Sequence, residues 1–207
     1  MDDTGSTTHD KLLREAARLF ASRGYSGTSM SDIAHEVGVR KASLYNYYGS
    51  KADLLIALLE QSLTSWQAAC EQSLVGIESV ERRLAAYLES AVAFSRTHPQ
   101  AMGIIRLAAG HVPSELRRRV RSLIARHESS WHRTLVGMFE DAIERDEIPG
   151  NDSAALALFW SVFIDGILVN PIFATAKTEA VVTNLQSLWT FFWRGVSGTS
   201  PHTELTI

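Results

Sequence analysis

Residues 37–55, VGVRKASLYNYYGSKADLL, concentrate side chains that can contact a nucleic acid. Arg40, Lys41 and Lys51 bring positive charge, and three tyrosines and Asn46 lie between them. A lysine ammonium can donate to guanine O6 or N7, and an asparagine amide can read adenine through N6 and N7. Tyrosine hydroxyls can donate to phosphate oxygens. The stretch therefore predicts a local surface that reads bases and binds phosphates.

The composition of the whole chain limits such a surface to one region. The 207 residues carry a formal net charge of -3, which argues against a protein that coats nucleic acid over its whole surface. The single cysteine, Cys70, provides neither a disulfide framework nor a cysteine zinc site, and the seven histidines show no metal-ligand spacing. We therefore expect no metal and no cofactor, and the cysteine usage fits a reducing cytoplasm.

Helical periodicity runs through almost the whole chain, because apolar residues recur at spacings of three and four and no stretch alternates with period two. This pattern predicts an all-α protein. Three short helices with tight turns are expected in the first 50 or so residues, and longer helices follow. The expected spans are 9–23, 29–38, 40–48, 50–70, 79–97, 99–109, 114–146, 153–170 and 179–196, with a loose tail from residue 195.

Turn and cap residues define the ends of the first helices. Gly24 is placed to be the left-handed residue after the first helix. Ser29, with Asp32 three residues later, resembles a capping box, and Gly38 closes the second helix. Ser50 is expected to cap the fourth helix. Two short helices joined by a tight turn that contains glycine predict a helix-turn-helix.

In a helix-turn-helix the second helix enters the major groove and the first helix crosses the backbone. Leu44 and Tyr48 are four residues apart and share one face, so we expect them to pack inward. The start of the fourth helix, with its free N–H groups and Lys51, suits a phosphate. Ser29 and Ser31 offer a similar site at the start of the second helix. On the residues alone, a helical bundle that binds no DNA stays open as the alternative.

Residues 9–55 resemble the N-terminal domain of the TetR family of bacterial transcriptional regulators. The matching pieces are A-x-x-L-F at 16–20, R-G-Y-x-x-T-S at 23–29, D-I-A at 32–34, G-V at 38–39, S-L-Y at 43–45 and Y-x-S-K at 48–51. The rest of the chain is similar to the family only in length and helical character. The resemblance implies a helix-turn-helix domain of three helices at 1–52 and a larger helical ligand-binding and dimerisation domain at 53–207.

The resemblance also implies which side chains meet the DNA. The matching contact positions are Ser29, Ser31, Lys41, Ser43, Tyr45, Tyr47 and Lys51. Arg40 stands where the family often has a capping serine; arginine is a poor N-cap, and this side chain could reach a phosphate or a guanine instead. Asn46 and Tyr47 stand where a basic residue and a histidine are frequent, which leaves the operator sequence open.

Aromatic and thioether side chains recur at helical spacing in the larger domain. The resemblance implies that helices four to seven surround a pocket for a small-molecule effector. The candidate lining residues are Trp66, Tyr87, Phe94, Met102, Arg106, Trp131 and Met138. They favour a mainly hydrophobic ligand, with Arg106 as the anchor if that ligand is anionic. The alternative is that these residues are ordinary core, and that Arg106, like Asp165, is a paired or solvated charge.

The last two helices are unusually apolar, and the resemblance implies that they form a homodimer. The candidate interface residues are Phe159, Phe163, Ile167, Leu185, Trp189 and Phe192. The core of a monomer is the alternative, but a helix-turn-helix reader normally spans two half-sites as a two-fold dimer. The stretch 154–175 is also long enough to cross a membrane. Asp165 and Pro171 within it favour a buried helix, so we expect no membrane partner.

ELRRRVRSLIARH at 115–127 is the most basic stretch of the chain. Apolar residues at 116, 120, 123 and 124 predict one buried side, which leaves the arginines on a solvated face. Nucleic acid or an acidic partner is the alternative for that face.

These patterns together predict a DNA-binding transcriptional regulator in the bacterial cytoplasm. We expect a homodimeric repressor that leaves double-stranded operator DNA when a small-molecule effector binds. An enzyme is the chief rival, but the sequence contains no G-x-S-x-G, no P-loop and no H-E-x-x-H motif. A helical interaction module without DNA binding is the second rival.

Overall fold

The computed structural model describes residues 7–110, 112–150, 152–169 and 184–206, and every regular element within these ranges is a helix. The all-α prediction is confirmed. In chain order the helices are α1 Thr8–Arg23, α2 Met30–Val37, α3 Lys41–Tyr45, α4 Lys51–Ser73, α5 Val80–Thr97, α6 Pro99–Gly110, α7 Ser114–Glu144, α8 Ser153–Leu168 and α9 Leu185–Ser197. The first part of the helix expected at 179–196 lies outside the described residues.

The chain packs as two compact units, and each unit combines two separate segments of the sequence. Unit 1 consists of Met1–Thr64 and His98–Leu123, and unit 2 consists of Ser65–Thr97 and Ile124–Ile207. The three short helices therefore share a unit with α6 and with the first turns of α7. The functional division between residues 52 and 53 remains a prediction.

Local capping signals form the start of unit 1 as the sequence indicates. Ser29 Oγ accepts from the Asp32 backbone N–H at 3.1 Å, and the Asp32 carboxylate accepts from the Ser29 N–H at 2.8 Å. Gly24 and Gly38 adopt positive φ angles of 72° and 80° at the ends of α1 and α2. Thr7 forms a further capping box at the start of α1 that the sequence analysis did not anticipate.

Helix α3 is shorter than the predicted span 40–48. Arg40 provides no side-chain cap at its start, as expected for an arginine. At its end the backbone N–H groups of Tyr47 and Tyr48 both donate to the Leu44 carbonyl at 3.0 Å, which tightens the last turn. Leu44 is completely buried and fixes the helix to the core of unit 1.

Helix α6 packs closely on α1 within unit 1. The closest approach is at Gly103, where an added Cβ would lie 2.6 Å from the Cβ of Ala21. Only a residue without a side chain fits at that separation. The absence of a Cβ at Gly103 therefore sets the distance between the two helices.

Long-range hydrogen bonds hold the start of α5 and the C-terminal tail in unit 2. Glu147 accepts from the backbone N–H of Val80 at 2.7 Å and so caps α5. Glu81, which is buried, accepts from the backbone N–H of Thr203 at 2.6 Å. The Trp189 indole N–H donates to the Thr203 carbonyl at 3.2 Å. The prediction of a loose tail from residue 195 is wrong, because Glu81 and Trp189 form hydrogen bonds with the backbone of Thr203 in the tail.

Over the described part of the chain, no helix is both long enough and apolar enough to cross a membrane.

Candidate functional site

Helix α3 presents a polar, aromatic surface to solvent. Lys41 and Asn46 are exposed, and Tyr45 and Tyr47 are 46% and 50% exposed despite their size. The Lys41 ammonium lies 6.0 Å from the centre of the Tyr45 ring, so the two side chains share one face. With Leu44 facing the core, this face is available to a partner, and its donors match base edges and phosphates.

The remaining predicted DNA-contacting residues differ in what they already bind. Arg40 and Ser31 are exposed, and Ser43 is half-buried on α3. Ser29 is engaged as the N-cap of α2 and keeps only its hydroxyl proton for another acceptor. Hydrogen bonds from Ser29 lower the pKa of Asp32, so this carboxylate stays ionised beside the cap.

Lys51 has a structural role that sequence reasoning missed. Its ammonium donates to the backbone carbonyls of Tyr25 and Thr28, both at 2.8 Å, and lies 4.1 Å from the centre of the Tyr25 ring. The side chain thereby joins the start of α4 to the turn between α1 and α2. An ammonium has three donors, so one remains for a phosphate.

Helix α1 supports the residues that follow α3. The His9 Nε2 atom and the Tyr48 hydroxyl lie 3.0 Å apart, and the two rings are stacked with centres 5.9 Å apart. The Tyr47 ring lies 5.4 Å from the His9 ring. His9 therefore limits where the exposed Tyr47 can point. The two partners are 39 and 38 positions from His9, and no local pattern in the sequence could have indicated this contact.

Helix α7 contacts the start of α4 through an ion pair. Arg119 Nη2 lies 2.8 Å from Asp53 Oδ1, and Asp53 also accepts from the Ser50 hydroxyl at 2.6 Å. Hydrogen bonds from Ser50 and then from Arg119 lower the pKa of Asp53. The predicted cap at Ser50 is present, since its Oγ accepts from the Asp53 N–H at 3.1 Å. The basic run at 115–127 thus supplies a side chain that holds the start of α4.

Five of the seven predicted effector-binding residues belong to unit 2. The Tyr87 and Trp131 rings are stacked with centres 4.7 Å apart, and Tyr87 meets the edge of the Trp160 ring at 5.9 Å. Phe94 and Met138 are buried in the same unit. Met102 is buried in unit 1, and Arg106 is half-buried there with its pKa lowered by burial.

A polar cluster lies beside the Tyr87 ring. Burial raises the pKa of the Cys70 thiol to about 12, and the polar groups of Tyr87, Ser90 and Trp66 oppose that rise. Cys70 therefore stays a protonated, unreactive thiol at physiological pH. The buried Trp66 indole N–H has no hydrogen-bond partner among the described residues. Burial, followed by the adjacent thiol, raises the pKa of Tyr87 well above its ordinary value. The cluster provides hydrogen-bonding groups within an otherwise apolar region.

Asp165 adds a carboxylate near this region. Its pKa is raised to about 6, first by the protein atoms that surround and desolvate it and then by the negative charge of Glu128. Its charge also acts on Tyr87. Asp165 itself is exposed to solvent.

The apolar residues of α8 and α9 divide into an inner and an outer set. Leu185, Trp189 and Phe192, three of the six predicted interface residues, are buried within the single chain. The Phe192 ring packs against those of Phe163 and Phe159 at 5.0 and 5.1 Å. Phe163 and Ile167 are half-buried, and Phe159 is 47% exposed.

The outer set consists of Phe159, which the sequence analysis selected, and of three residues that it did not select. Leu158, Val162 and Phe191 are 59%, 61% and 68% exposed, and with Phe159 they are the large apolar residues of α8 and α9 that are exposed to solvent. Leu158 and Val162 are four residues apart and share a face of α8. A surface for a second protein would consist of this outer set, because fully buried side chains have no surface to offer.

No group of three or more histidine, cysteine or acidic side chains among the described residues could hold a metal ion.

Comparison with known proteins adds independent findings. Residues 12–58 match the model of the bacterial regulatory proteins of the tetR family. The uncharacterized HTH-type transcriptional regulator YezE of Bacillus subtilis is 28% identical over 151 residues, which cover 71% of this chain and 76% of YezE. The solved structure of the regulatory protein TetR from Rhodobacter sphaeroides is 25% identical, with a TM-score of 0.69 and coverage of 92% of this chain and 100% of that chain.

A further solved structure gives the fold alone, because its sequence identity is only 18%. It is the transcriptional regulator FadR from Bacillus subtilis in complex with stearoyl-CoA, with a TM-score of 0.73 and coverage of 89% of this chain and 97% of that chain.

A helix-turn-helix with an exposed basic and aromatic recognition helix, joined to a larger helical region, defines a DNA-binding transcriptional regulator. The family model and the relatives indicate the kind of regulator: residues 12–58 match the tetR-family DNA-binding domain, and the chain as a whole is similar to TetR-family regulators.

Proposed function

We propose that the chain acts in the bacterial cytoplasm as a homodimeric repressor. It binds double-stranded operator DNA through α3 and releases that DNA when a small, mainly hydrophobic effector binds unit 2. The observation that carries this proposal is the surface of α3, where Lys41, Tyr45 and Tyr47 face solvent while Leu44 is completely buried.

Within this function the residues around α3 have different roles. Lys41 and Asn46 read base edges, and Arg40, Ser31, Ser43 and the two exposed tyrosines contact phosphates, sugars or thymine methyl groups. Ser29 and Lys51 act first as supports of α2 and of the α1–α2 turn. Each then has one donor left for a phosphate at a helix start.

The homodimer is proposed to form through the outer set of α8 and α9: Leu158, Phe159, Val162 and Phe191. Large apolar side chains with this exposure are unfavourable in water, and burying them against a second copy removes that cost. A two-fold dimer places two recognition helices about one turn of DNA apart, roughly 34 Å. In this proposal the outer set takes the place of the buried residues Leu185, Trp189 and Phe192 as the dimer interface.

The effector is proposed to bind beside the stacked rings of Tyr87 and Trp131. Stacked aromatic walls with a few polar groups are typical of pockets for apolar ligands. The stearoyl-CoA held by the FadR neighbour supports a ligand with an apolar chain. Asp165 would favour a ligand that can donate a hydrogen bond, and Met102 and Arg106, which belong to unit 1, are not part of this proposal.

Release follows from linkage between the two ligands. An effector that binds more tightly to a dimer whose recognition helices are wrongly spaced draws the population to that state. Linkage then requires operator DNA to weaken effector binding by the same factor. The proposed function is regulation and involves no catalysis.

A mobility-shift assay with duplexes from the protein's own promoter region tests DNA reading. We expect a discrete shift with one duplex that survives an excess of unrelated DNA, and loss of that preference in Lys41→Ala. If the wild-type protein binds promoter and unrelated duplexes equally, sequence-specific regulation is refuted.

Tryptophan fluorescence tests the effector site, since Trp131 is one of the proposed contacts. A true effector should quench or shift the emission, lower operator affinity and bind more weakly when operator is present. Trp131→Leu should reduce effector affinity and leave operator affinity unchanged. A compound that binds equally well with and without operator cannot be the effector.

A further inference from the structure

Positive charge is distributed in an unexpected way within unit 1. Residues 1–64, which contain the whole helix-turn-helix, carry seven Lys and Arg against eight Asp and Glu. Residues 98–123, the other segment of unit 1, carry five arginines and one acidic residue. The excess positive charge of the DNA-reading unit therefore comes from α6 and the start of α7.

Three of those arginines form what we call the basic face: Arg117, Arg118 and Arg121. All three are exposed, and none has a hydrogen-bond or ion-pair partner among the described residues. The buried residues of the same turns are Leu116, Val120 and Leu123, so the arginines lie on the outer side of α7. Arg119 differs because it is bound to Asp53.

The Arg119–Asp53 contact fixes where the basic face lies. Asp53 is in the first turn of α4, two residues after Lys51, and it shares the Ser50 cap. Arg118 precedes Arg119 directly, and Arg121 follows it by two residues, about 3 Å along the helix axis. The basic face therefore lies at the same level along α7 as the start of α4, on the outer side of the helix, because Arg117 and Arg121 are each about 160° around the helix from Arg119.

We propose that the basic face of α7 is a second DNA-contacting surface, which binds phosphates of the operator duplex independently of sequence. This rests on the proposed DNA-binding function and assigns it a surface outside the helix-turn-helix. Arg117 and Arg121 are four residues apart, about 6 Å along the helix axis, so their side chains leave the same side of α7. Guanidinium groups bind phosphate oxygens in a bidentate manner.

Charge complementarity selects DNA as the partner. A helix-turn-helix segment in which acidic residues slightly outnumber basic ones gains little from long-range attraction to a polyanion. The unpaired arginines of the same compact unit supply that attraction where it is needed. A cationic or neutral partner would leave three neighbouring guanidinium groups without counter-charges.

The test uses the full-length protein and measures operator affinity over a series of salt concentrations. The variant Arg117→Gln/Arg118→Gln/Arg121→Gln should lower the slope of log affinity against log salt by about 2–3, since each phosphate contact contributes roughly 0.9. Operator and unrelated duplexes should weaken by the same factor, so the ratio of the two affinities stays constant. The corresponding triple Lys variant should keep most of the slope.

A matched control removes the same charge from unit 2. Arg82, Arg96 and Arg133 are exposed and have no ion-pair partner within the described ranges. The variant Arg82→Gln/Arg96→Gln/Arg133→Gln therefore changes the net charge by the same amount. This control variant should leave the slope of log affinity against log salt within about 0.5 of the wild-type value, which is less than the roughly 0.9 that one phosphate contact contributes. Thermal unfolding confirms that each variant is folded.

Two results would overturn the inference. One is an unchanged slope in the basic-face variant, and the other is an equal loss in the control, which would indicate overall charge alone. Either result counts against the basic face only when the wild-type protein binds its operator specifically. If the wild-type protein shows no such preference, the proposed function fails instead, so the two failures are distinguishable.

Discussion

Arg119 and Asp53 lie 66 positions apart in the sequence, yet their side chains meet at 2.8 Å and join α7 to the first turn of α4. The contact lies within unit 1, where the first turns of α7 pack in the same unit as the recognition helix. Anything that shifts the start of α7 will therefore act on the end of α4 that carries Lys51 and Ser50.

The Arg119–Asp53 pair should contribute modestly to stability at neutral pH and nothing in acid. Both side chains are nearly half exposed, so a double-mutant cycle with Arg119→Ala and Asp53→Asn should give a coupling of no more than about 1 kcal/mol. The pKa of Asp53 is lowered in the folded state, so its contribution is present above pH 4 and lost as the pH falls through that lowered value. Unfolding curves at pH 7 and well below pH 4 measure the coupling. Glu60→Gln, an exposed site on the same helix, serves as control, and a coupling that persists in strong acid would contradict the assignment.

Lys41 and Lys51 should give different defects although both are basic residues of the DNA-reading region. Lys41→Ala should cost roughly 1–3 kcal/mol in operator binding and relax the preference for one base. Lys51→Met should weaken binding to all sequences and also lower the melting temperature, because the carbonyls of Tyr25 and Thr28 lose a charged donor. Binding titrations and thermal unfolding of both variants separate the two roles. If the Lys51→Met protein had wild-type thermal stability, the structural role of Lys51 would be contradicted and only its proposed phosphate contact would remain.

Phe191→Glu should produce a folded monomer with greatly reduced operator affinity. The side chain is 68% exposed in the single chain, so a glutamate is tolerated there but would be buried without a partner in the proposed dimer. Val75→Glu, at a 71% exposed apolar residue in the loop after α4, is the matched control and should remain dimeric. Sedimentation or light scattering reports the mass. A stable Phe191→Glu dimer would move the interface to another surface.

Gly103→Ala should destabilise unit 1 by roughly 1–3 kcal/mol because its new methyl group overlaps the Cβ of Ala21. Gly137→Ala, on α7 with open space around the added Cβ, should be neutral or stabilising by up to about 1 kcal/mol. Ala21→Gly should recover part of the loss when it is combined with Gly103→Ala. Equal melting temperatures for the two single alanine variants would show that α1 and α6 can move apart without cost.

Features that depend on neighbouring residues could be predicted from the sequence, and features that depend on distant contacts could not. The Ser29–Asp32 capping box and the turns at Gly24 and Gly38 are local and were predicted correctly. The two backbone acceptors of Lys51 are 26 and 23 positions away, so its supporting role left no local signal.

The apolar surface of α9 illustrates a second limit. Phe191, Phe192 and Trp193 are consecutive large residues, so the helix is apolar on more than one side. Periodicity alone cannot decide which of these sides faces the chain's own core. Packing against Phe159 and Phe163 turns Phe192 inward and leaves Phe191 in solvent.

The anchored C-terminal tail has a practical consequence for handling the protein. A carboxypeptidase, or a truncation after Gly198, would remove the backbone N–H of Thr203 that serves Glu81 and the carbonyl that serves the Trp189 indole. A buried carboxylate left without its donor costs more than the roughly 1–3 kcal/mol of a neutral group, so trimmed material should melt earlier than intact material. Resistance of the last residues to proteolysis is thus a convenient check that unit 2 is correctly folded in a preparation of the protein.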